Sequence, residues 1–411
     1  MSGTSRPRAV VVADWWWPNL VGGAEHCARD IAHALSRSYD VTVVVPSADP
    51  RRYRDGPVEV VAARKLFARR RHPDSLRRRR IELVTTWLNP WGAGGVVRAI
   101  ETAAPDVTVV TNTSRTGPWV LRALRQRRYR TVRVFHDLSD TCWRRSRQKS
   151  GANCDHPCTP CRAKMALLRR ATPAATQSVC VSHFVRDDLV RNRLITTESS
   201  GVGYPSKPPP DTVRRPAPVK PTDPLVLGYV GRIAPVKGIE YAIDVAAQFA
   251  SERVGTLSLT VAGTGDPAYI EQLGRHAAER GLSVDFPGWM PIDRFCAGVD
   301  AVLIPSTWLE PFGRVAVEVG SWGLPILVSP VGGLLEAARL SGTLYGFADF
   351  TDTAGAVAEL RRLLTDPTTD GPGAARETSE TGHVSLVTAT LRAVTTVAGR
   401  PPGDLAKAMS E

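Results

Sequence analysis

The stretch Asp300–Glu336, DAVLIPSTWLEPFGRVAVEVGSWGLPILVSPVGGLLE, decides the fold. Ala301 to Ile304 is a short apolar run and reads as a buried strand, and Arg314 to Trp322 reads as the helix that follows it. Two carboxylates, Glu310 and Glu318, stand eight positions apart across the intervening turn. The first falls above the strand end and the second about one and a half turns into the helix. Gly313 keeps the backbone bare where the helix opens, so unpaired N–H groups there can face a ligand. A carboxylate only accepts hydrogen bonds, so two of them beside bare N–H groups suit a ligand rich in hydroxyls. A loop acid plus a solvated helix acid is the plain alternative. The strand–turn–helix setting and a second Gly-rich turn at Gly332-Gly333 weigh against it.

Working outward, strand and helix signals alternate along the whole chain, the pattern of α/β domains with parallel sheets. One series runs through 9–13, 41–45, 107–111, 131–135 and 178–181, with a helix over about 24–36. A second runs through 225–230, 257–262, 301–304 and 326–329. Between them, residues 204–224 hold eight prolines, which can continue neither a helix nor a central strand. The organisation expected is a first domain over 1–205, a linker over 206–224, a second domain over 225–380, and a C-terminal helix and tail over 381–411. A loop over 371–381 and an amphipathic helix over 384–397 complete it. With 411 residues, each domain has enough chain for its own core. Doubly wound sheets bind ligands outside the carboxyl ends of their strands, so two such domains would line one cleft with both sets of loops.

Gly231-Arg232 follows the 225–230 strand, and Lys237-Gly238 stands at the next helix start. Two cations and two glycines at the mouth of a parallel sheet make a diphosphate site, against the alternative of a solvated basic loop. Gly22-Gly23 occupies the first βα turn, where backbone N–H groups approach phosphate or merely make a turn. His136-Asp137 ends the 131–135 strand, where a lone histidine is as a rule structural. The Trp15-Trp16-Trp17 run either floors an acceptor pocket or packs under its loop.

The Glu310…Glu318 segment resembles the Glu-x7-Glu signature of retaining glycosyltransferases of family 4, which have the GT-B fold: two facing Rossmann-like domains, with the final helix crossing back to the first. The resemblance covers nearly the whole chain and is strongest from Leu225 to Glu336. It implies a nucleotide-sugar donor as co-substrate and no catalytic cofactor. Glu310 would lie against the donor sugar and Glu318 would accept from the ribose hydroxyls. Backbone N–H groups at Phe312 and Gly313 would hold sugar hydroxyls, and Arg232 and Lys237, with Gly231, would hold the diphosphate. Gly23 would contact the donor, and His136 would approach the transferred sugar without acting as a base. A front-face route, in which a donor phosphate oxygen takes the acceptor proton, would make a separate general base unnecessary. Val319-Gly320 departs from the Ala-rich continuation usual after the second Glu, and neither donor base nor sugar is readable.

Charge is divided unevenly. Residues 1–210 hold 36 Lys and Arg against 17 Asp and Glu, and 211–411 hold 17 against 23, giving +19 and −6 within a total of +13. Arg64–Arg80 and Arg122–Arg133 concentrate the excess. Such a surface attracts phosphate-bearing partners, so a lipid-linked or anionic hydroxyl acceptor and peripheral contact with the inner membrane face are expected, with a soluble secondary-metabolite core or glycan as the other option. The arginine runs lack the interleaved aromatics of base stacking, so nucleic acid is not expected. No apolar run reaches membrane-spanning length, and 9–13 is too short for a signal peptide, so the expected location is cytoplasmic. Cys142, Cys154, Cys158 and Cys161 close with a CxxC and suit a structural tetrahedral zinc, with free thiols or disulfides still open. The rival functions are a phosphorylase or sugar-nucleotide epimerase on the same fold, and a non-catalytic sugar-nucleotide-binding protein.

Overall fold

The computed structural model describes residues 6–19, 22–65, 82, 84–111, 113–149, 151–173, 176–205, 219–365 and 384–399. Most of the Pro-rich linker, the arginine run beyond residue 65, the 371–381 loop and the tail lie outside these. The chain divides into two compact units, Met1–Pro205 with His383–Glu411, and Ser206–Gly382.

The first unit runs β1 (Arg8–Val12), α1 (Gly23–Leu35), β2 (Asp40–Ser47), β3 (Arg51–Asp55), β4 (Val58–Arg64), α2 (Gly94–Ala103), β5 (Val107–Val110), α3 (Gly117–Gln126), β6 (Thr131–Phe135), β7 (Gln148–Lys149), β8 (Ala152–Asn153), α4 (Thr159–Ala171), β9 (Gln177–Cys180), α5 (His183–Arg191) and β10 (Ser200–Val202). Its eight-stranded sheet is ordered β10-β9-β6-β5-β1-β2-β4-β3 and is parallel apart from the antiparallel edge pair β3–β4. The central strands β1, β5 and β6 are rich in β-branched residues and, apart from Arg8, buried along their length. Strand β1 has β5 on one side and β2 on the other, so the strand order reverses beside it.

The second unit runs β11 (Leu225–Val230), α6 (Ile239–Ser251), β12 (Leu257–Ala262), α7 (Pro267–Glu279), β13 (Ser283–Gly288), α8 (Ile292–Ala297), β14 (Ala301–Ile304), α9 (Arg314–Gly320), β15 (Ile326–Val328), α10 (Leu334–Arg339), β16 (Tyr345–Phe347) and α11 (Thr353–Thr365). Its parallel sheet has the order β13-β12-β11-β14-β15-β16, two mononucleotide-type halves that diverge between β11 and β14. Ile239, Ala242, Ile243, Ala246 and Phe249 recur along one stripe of α6 and pack with Leu225, Leu227, Leu259 and Val261 into the core.

The last helix, α12 (Leu386–Ala398), belongs to the first unit and packs on α1, β6 and β9. Ser385 caps it, its hydroxyl accepting from Thr388 N–H. It buries Leu386, Leu391 and Val394, worth about 1.5–3 kcal/mol each. The buried Thr390 and Thr395 hydroxyls donate to the carbonyls of Leu386 and Leu391, which removes the cost of leaving them unpaired. Gly203 lets the helix close on the strand behind it: a Cβ there would stand 2.6 Å from that of Ala389.

Candidate active site

The second unit's site is built where β11 and β14 part. After β11 the chain turns through Gly231 (φ +146°) and Arg232 into the single helical turn Pro235–Lys237 and Gly238 (φ +64°). Gly238 sits so close to the loop after β14 that a Cβ would meet the Pro305 carbonyl oxygen at 2.1 Å. Thr307 N–H donates to the Val236 carbonyl at 3.0 Å, fastening the two loops together. That contact sets Lys237 beside Glu310. The ammonium donates to Oε1 at 2.5 Å and the Ser306 hydroxyl donates to the same oxygen at 2.7 Å. Oε2 of this buried carboxylate has no partner among the described residues. The Lys237 ammonium also lies 5.4 Å from the centre of the Trp308 ring. Arg232 is exposed, and its guanidinium makes no hydrogen bond or ion pair among the described residues. Burial first, and the Glu310 charge second, push the Tyr229 phenol far up. It stays protonated and donates to the Arg232 carbonyl at 2.8 Å, bracing the loop.

Gly313, at φ +99°, precedes α9, and a Cβ there would lie 2.5 Å from Leu334 Cδ1. Phe312 is buried. The Gly332-Gly333 turn presses on the backbone of Glu310 and Pro311: Gly333 N–H donates to the Glu310 carbonyl at 2.7 Å, and a Cβ on Gly332 would come within 2.4 Å of that oxygen. Its glycines thus buttress the acidic loop. One turn into α9, Glu318 accepts from Arg314 at 2.8 Å, both side chains about a fifth exposed.

In the first unit, Gly23 opens α1, and His136 and Asp137 leave the end of β6. Asp137 accepts from Ser139 N–H at 2.8 Å. Four groups not singled out from the sequence, Asp14, Lys65, Glu82 and Arg115, are gathered here. Asp14 follows β1 and accepts from Arg115 N–H at 2.9 Å, while the Arg115 guanidinium donates to the Asp14 carbonyl at 2.7 Å and to Glu82 at 3.0 Å. Lys65 adds a buried contact to Glu82 at 3.5 Å. Burial pushes the Asp14 carboxyl up. Burial likewise raises Glu25 to about 7, with the charges of Asp14 and Asp137 adding to the effect. An acid ending an apolar strand is the one local signal for Asp14.

Of the three tryptophans, Trp15 lies under the Arg115 guanidinium, 3.8 Å from Cζ to ring centre. Trp16 donates to Asp55 at 3.1 Å, and both rings are buried. Trp17 is half exposed, with Arg29 over its ring at 5.6 Å.

The four cysteines expected to hold zinc are all among the described residues. Cys158 and Cys161 touch, Sγ to Sγ 3.4 Å, yet among the described residues no three His, Cys, Asp or Glu side chains are gathered to hold a metal. The residues between Cys142 and Cys154 are spent on the β7–β8 hairpin, which ties Cys154 N–H to the Arg147 carbonyl at 2.6 Å. None of the seven cysteines is joined in a disulfide.

Two family patterns match the chain: Glycosyltransferase Family 4 over residues 21–198 and Glycosyl transferases group 1 over 211–380. Together the two patterns, each of a glycosyltransferase family, span most of the chain. It is 36% identical over 163 residues to a glycogen synthase of Mycobacterium tuberculosis, a match covering 38% of this chain and 37% of that protein. It is 35% identical over 156 residues to a D-inositol 3-phosphate glycosyltransferase of Acidothermus cellulolyticus, 34% of each chain. The chain thus matches little more than a third of the length of these curated relatives. Among solved structures it is similar to Anabaena HepE in complex with UDP and glucose, at 18% identity and a TM-score of 0.59 over 98% of this chain and 99% of that one. It is also similar to the lipopolysaccharide outer core galactosyltransferase WaaB, at 13% identity and 0.63 over 95% and 99%. The fold of the chain is GT-B.

Proposed function

We propose that this chain moves a glycosyl group, with retention, from a nucleoside-diphosphate sugar to a hydroxyl acceptor, and that the second unit binds the donor. The observation that carries the reading is the cluster at the β11/β14 divergence. Lys237 is held on Glu310, and among the described residues Glu310 Oε2 has no partner and Arg232, at the same loop, makes no hydrogen bond or ion pair. Solved relatives of the fold hold UDP and glucose or UDP-glucose, in keeping with this chemistry.

In this reading Arg232 and Lys237 take the diphosphate and stabilise the charge that grows on it as the glycosidic bond breaks. Each such donor is worth about 2.7–4 kcal/mol in the transition state. Glu310 uses Oε2 on a sugar hydroxyl, and Glu318 accepts from the ribose. Backbone at Phe312, Gly313 and Gly231 contributes to the same donor site, and Gly23 and His136 are assigned further donor contacts. A leaving phosphate oxygen takes the acceptor proton. The first unit binds the acceptor, and its exposed arginines at 122, 125, 127, 128 and 130 favour an anionic or lipid-linked one.

Nucleotide release should be measured with UDP-, GDP- and ADP-sugars, followed by acceptor trials with the donor found. Lys237→Ala and Arg232→Ala are each expected to lower turnover at least about a hundredfold. Near-normal turnover in either variant, or no binding of UDP, GDP or ADP by calorimetry, removes the assignment. Flotation with anionic liposomes at low salt tests the membrane-facing acceptor, and absence of co-migration counts against it.

A further inference from the structure

The Cys158–Cys161 contact is assigned no part in the proposed glycosyl transfer. Cys158 stands at the N-cap position of α4, a 13-residue helix, and its side chain is exposed and makes no capping bond. Cys161 lies one turn further on, the same helix face, with 5% of its surface exposed. Their sulfurs are 3.4 Å apart, so approach by about 1.4 Å would reach the disulfide length of about 2.05 Å. The intervening Thr159-Pro160 places proline where a helix start needs no N–H, so the turn is fixed before the sulfurs react. Behind the pair, Trp143 donates its indole N–H to the Pro160 carbonyl at 2.9 Å. Lys164, a buried lysine, sits 4.6 Å from the Trp143 ring and donates to the Ser139 and Cys142 carbonyls. The first turn of α4 is thereby fastened to the segment that follows His136 and Asp137.

We propose that Cys158 and Cys161 form a thiol–disulfide modification site, with Cys158 as the attacking sulfur and Cys161 as the resolving one. The oxidant is a low-molecular-weight disulfide of the glutathione type. The Cys158 thiolate, exposed at a helix N-terminus, attacks one sulfur of the oxidant, forming a mixed disulfide and releasing one thiolate. Cys161 then loses its proton and attacks Sγ of Cys158, expelling the second thiolate. Two protein thiols and one disulfide become one protein disulfide and two small thiols, so electrons and protons balance. Cys154 is not needed, since the Cys158 and Cys161 sulfurs already touch each other.

The test uses the full chain, reduced, desalted and exposed to oxidised glutathione, then quenched with acid and mapped by mass spectrometry without reductant. Two of the seven thiols are expected to disappear, with a bond joining Cys158 to Cys161. The same bond should form in Cys154→Ser. Cys161→Ser should accumulate glutathione on Cys158, whereas Cys158→Ser should leave Cys161 unmodified. In the reduced protein, iodoacetamide should label Cys158 at least about tenfold faster than Cys161. Seven thiols remaining, a bond between another pair, or a stoichiometric metal found by elemental analysis that shields these thiols until chelated would each overturn the assignment.

Discussion

Gly263, at the end of β12, gives a sharp test of how the Arg232 loop is placed. Its φ is +147°, and a Cβ there would lie 1.8 Å from the Gly231 carbonyl oxygen. Ordinary contact begins near 3.4 Å, so Gly263→Ala must open a gap of about 1.6 Å between two backbone segments. Neither segment moves freely. Gly263 N–H is held by the Gly288 carbonyl at 2.8 Å, and Gly231 N–H by that of Ala262 at 3.0 Å. Relief therefore comes from displacing Gly231 and Arg232, and misplacing a positioning group by about 1 Å costs on the order of a hundredfold in rate. The strained backbone adds about 1–3 kcal/mol of instability, a loss of a few to roughly ten degrees in Tm for a unit of this size. The assay pairs nucleotide release with thermal unfolding. Gly274→Ala serves as control, since Gly274 lies in α7 with nothing within 4 Å, and alanine there should stabilise by up to about 1 kcal/mol. If Gly263→Ala keeps wild-type kcat/KM and Tm, the loop is not positioned as described.

Glu310→Gln keeps the shape but removes the charge that holds Lys237, and is expected to lower turnover at least about a hundredfold. Because Lys237 is about a fifth exposed, the stability cost in urea unfolding should fall below the roughly 3–5 kcal/mol of a fully buried pair. Glu25, raised to about 7 by burial, binds its proton more tightly folded than unfolded. Its contribution is therefore fully present below about pH 4.5 and declines as pH rises toward about 7. Glu25→Gln should flatten that decline and stabilise the protein at pH 8 by on the order of 1–3 kcal/mol, allowing for its partial exposure; an unchanged pH–Tm profile would contradict the burial. Ser385→Ala removes the cap of α12 and should cost about 1 kcal/mol, seen as a drop of a few degrees in Tm, and an unaltered Tm would mean the cap is redundant.

The central strands were legible because parallel strands covered on both faces must be unbroken apolar runs, as in β1, β5 and β14. Edges were not. Arg51–Asp55 is charged because it faces solvent, and Ser283–Gly288 carries Pro287, tolerated at a sheet edge. At the candidate site, Glu310, Lys237 and Arg232 stood out through their places at strand ends and helix starts. Ser306, Gly263 and the buried set Asp14, Lys65, Glu82 and Arg115 did not, since each matters through a partner distant in sequence. The cysteine spacing hid a local element. A count of intervening residues does not reveal that a hairpin consumes them.

The placement of α12 constrains how the molecule is made. The polypeptide leaves the first unit at Pro205 and returns to it only at His383, so the second unit is an insertion within the first. During synthesis the inserted unit emerges whole and can mature while its host still lacks a helix. Until the ribosome releases the residues around 386–398, the apolar flank formed by α1, β6 and β9 stays uncovered, a period in which a chaperone has a surface to hold.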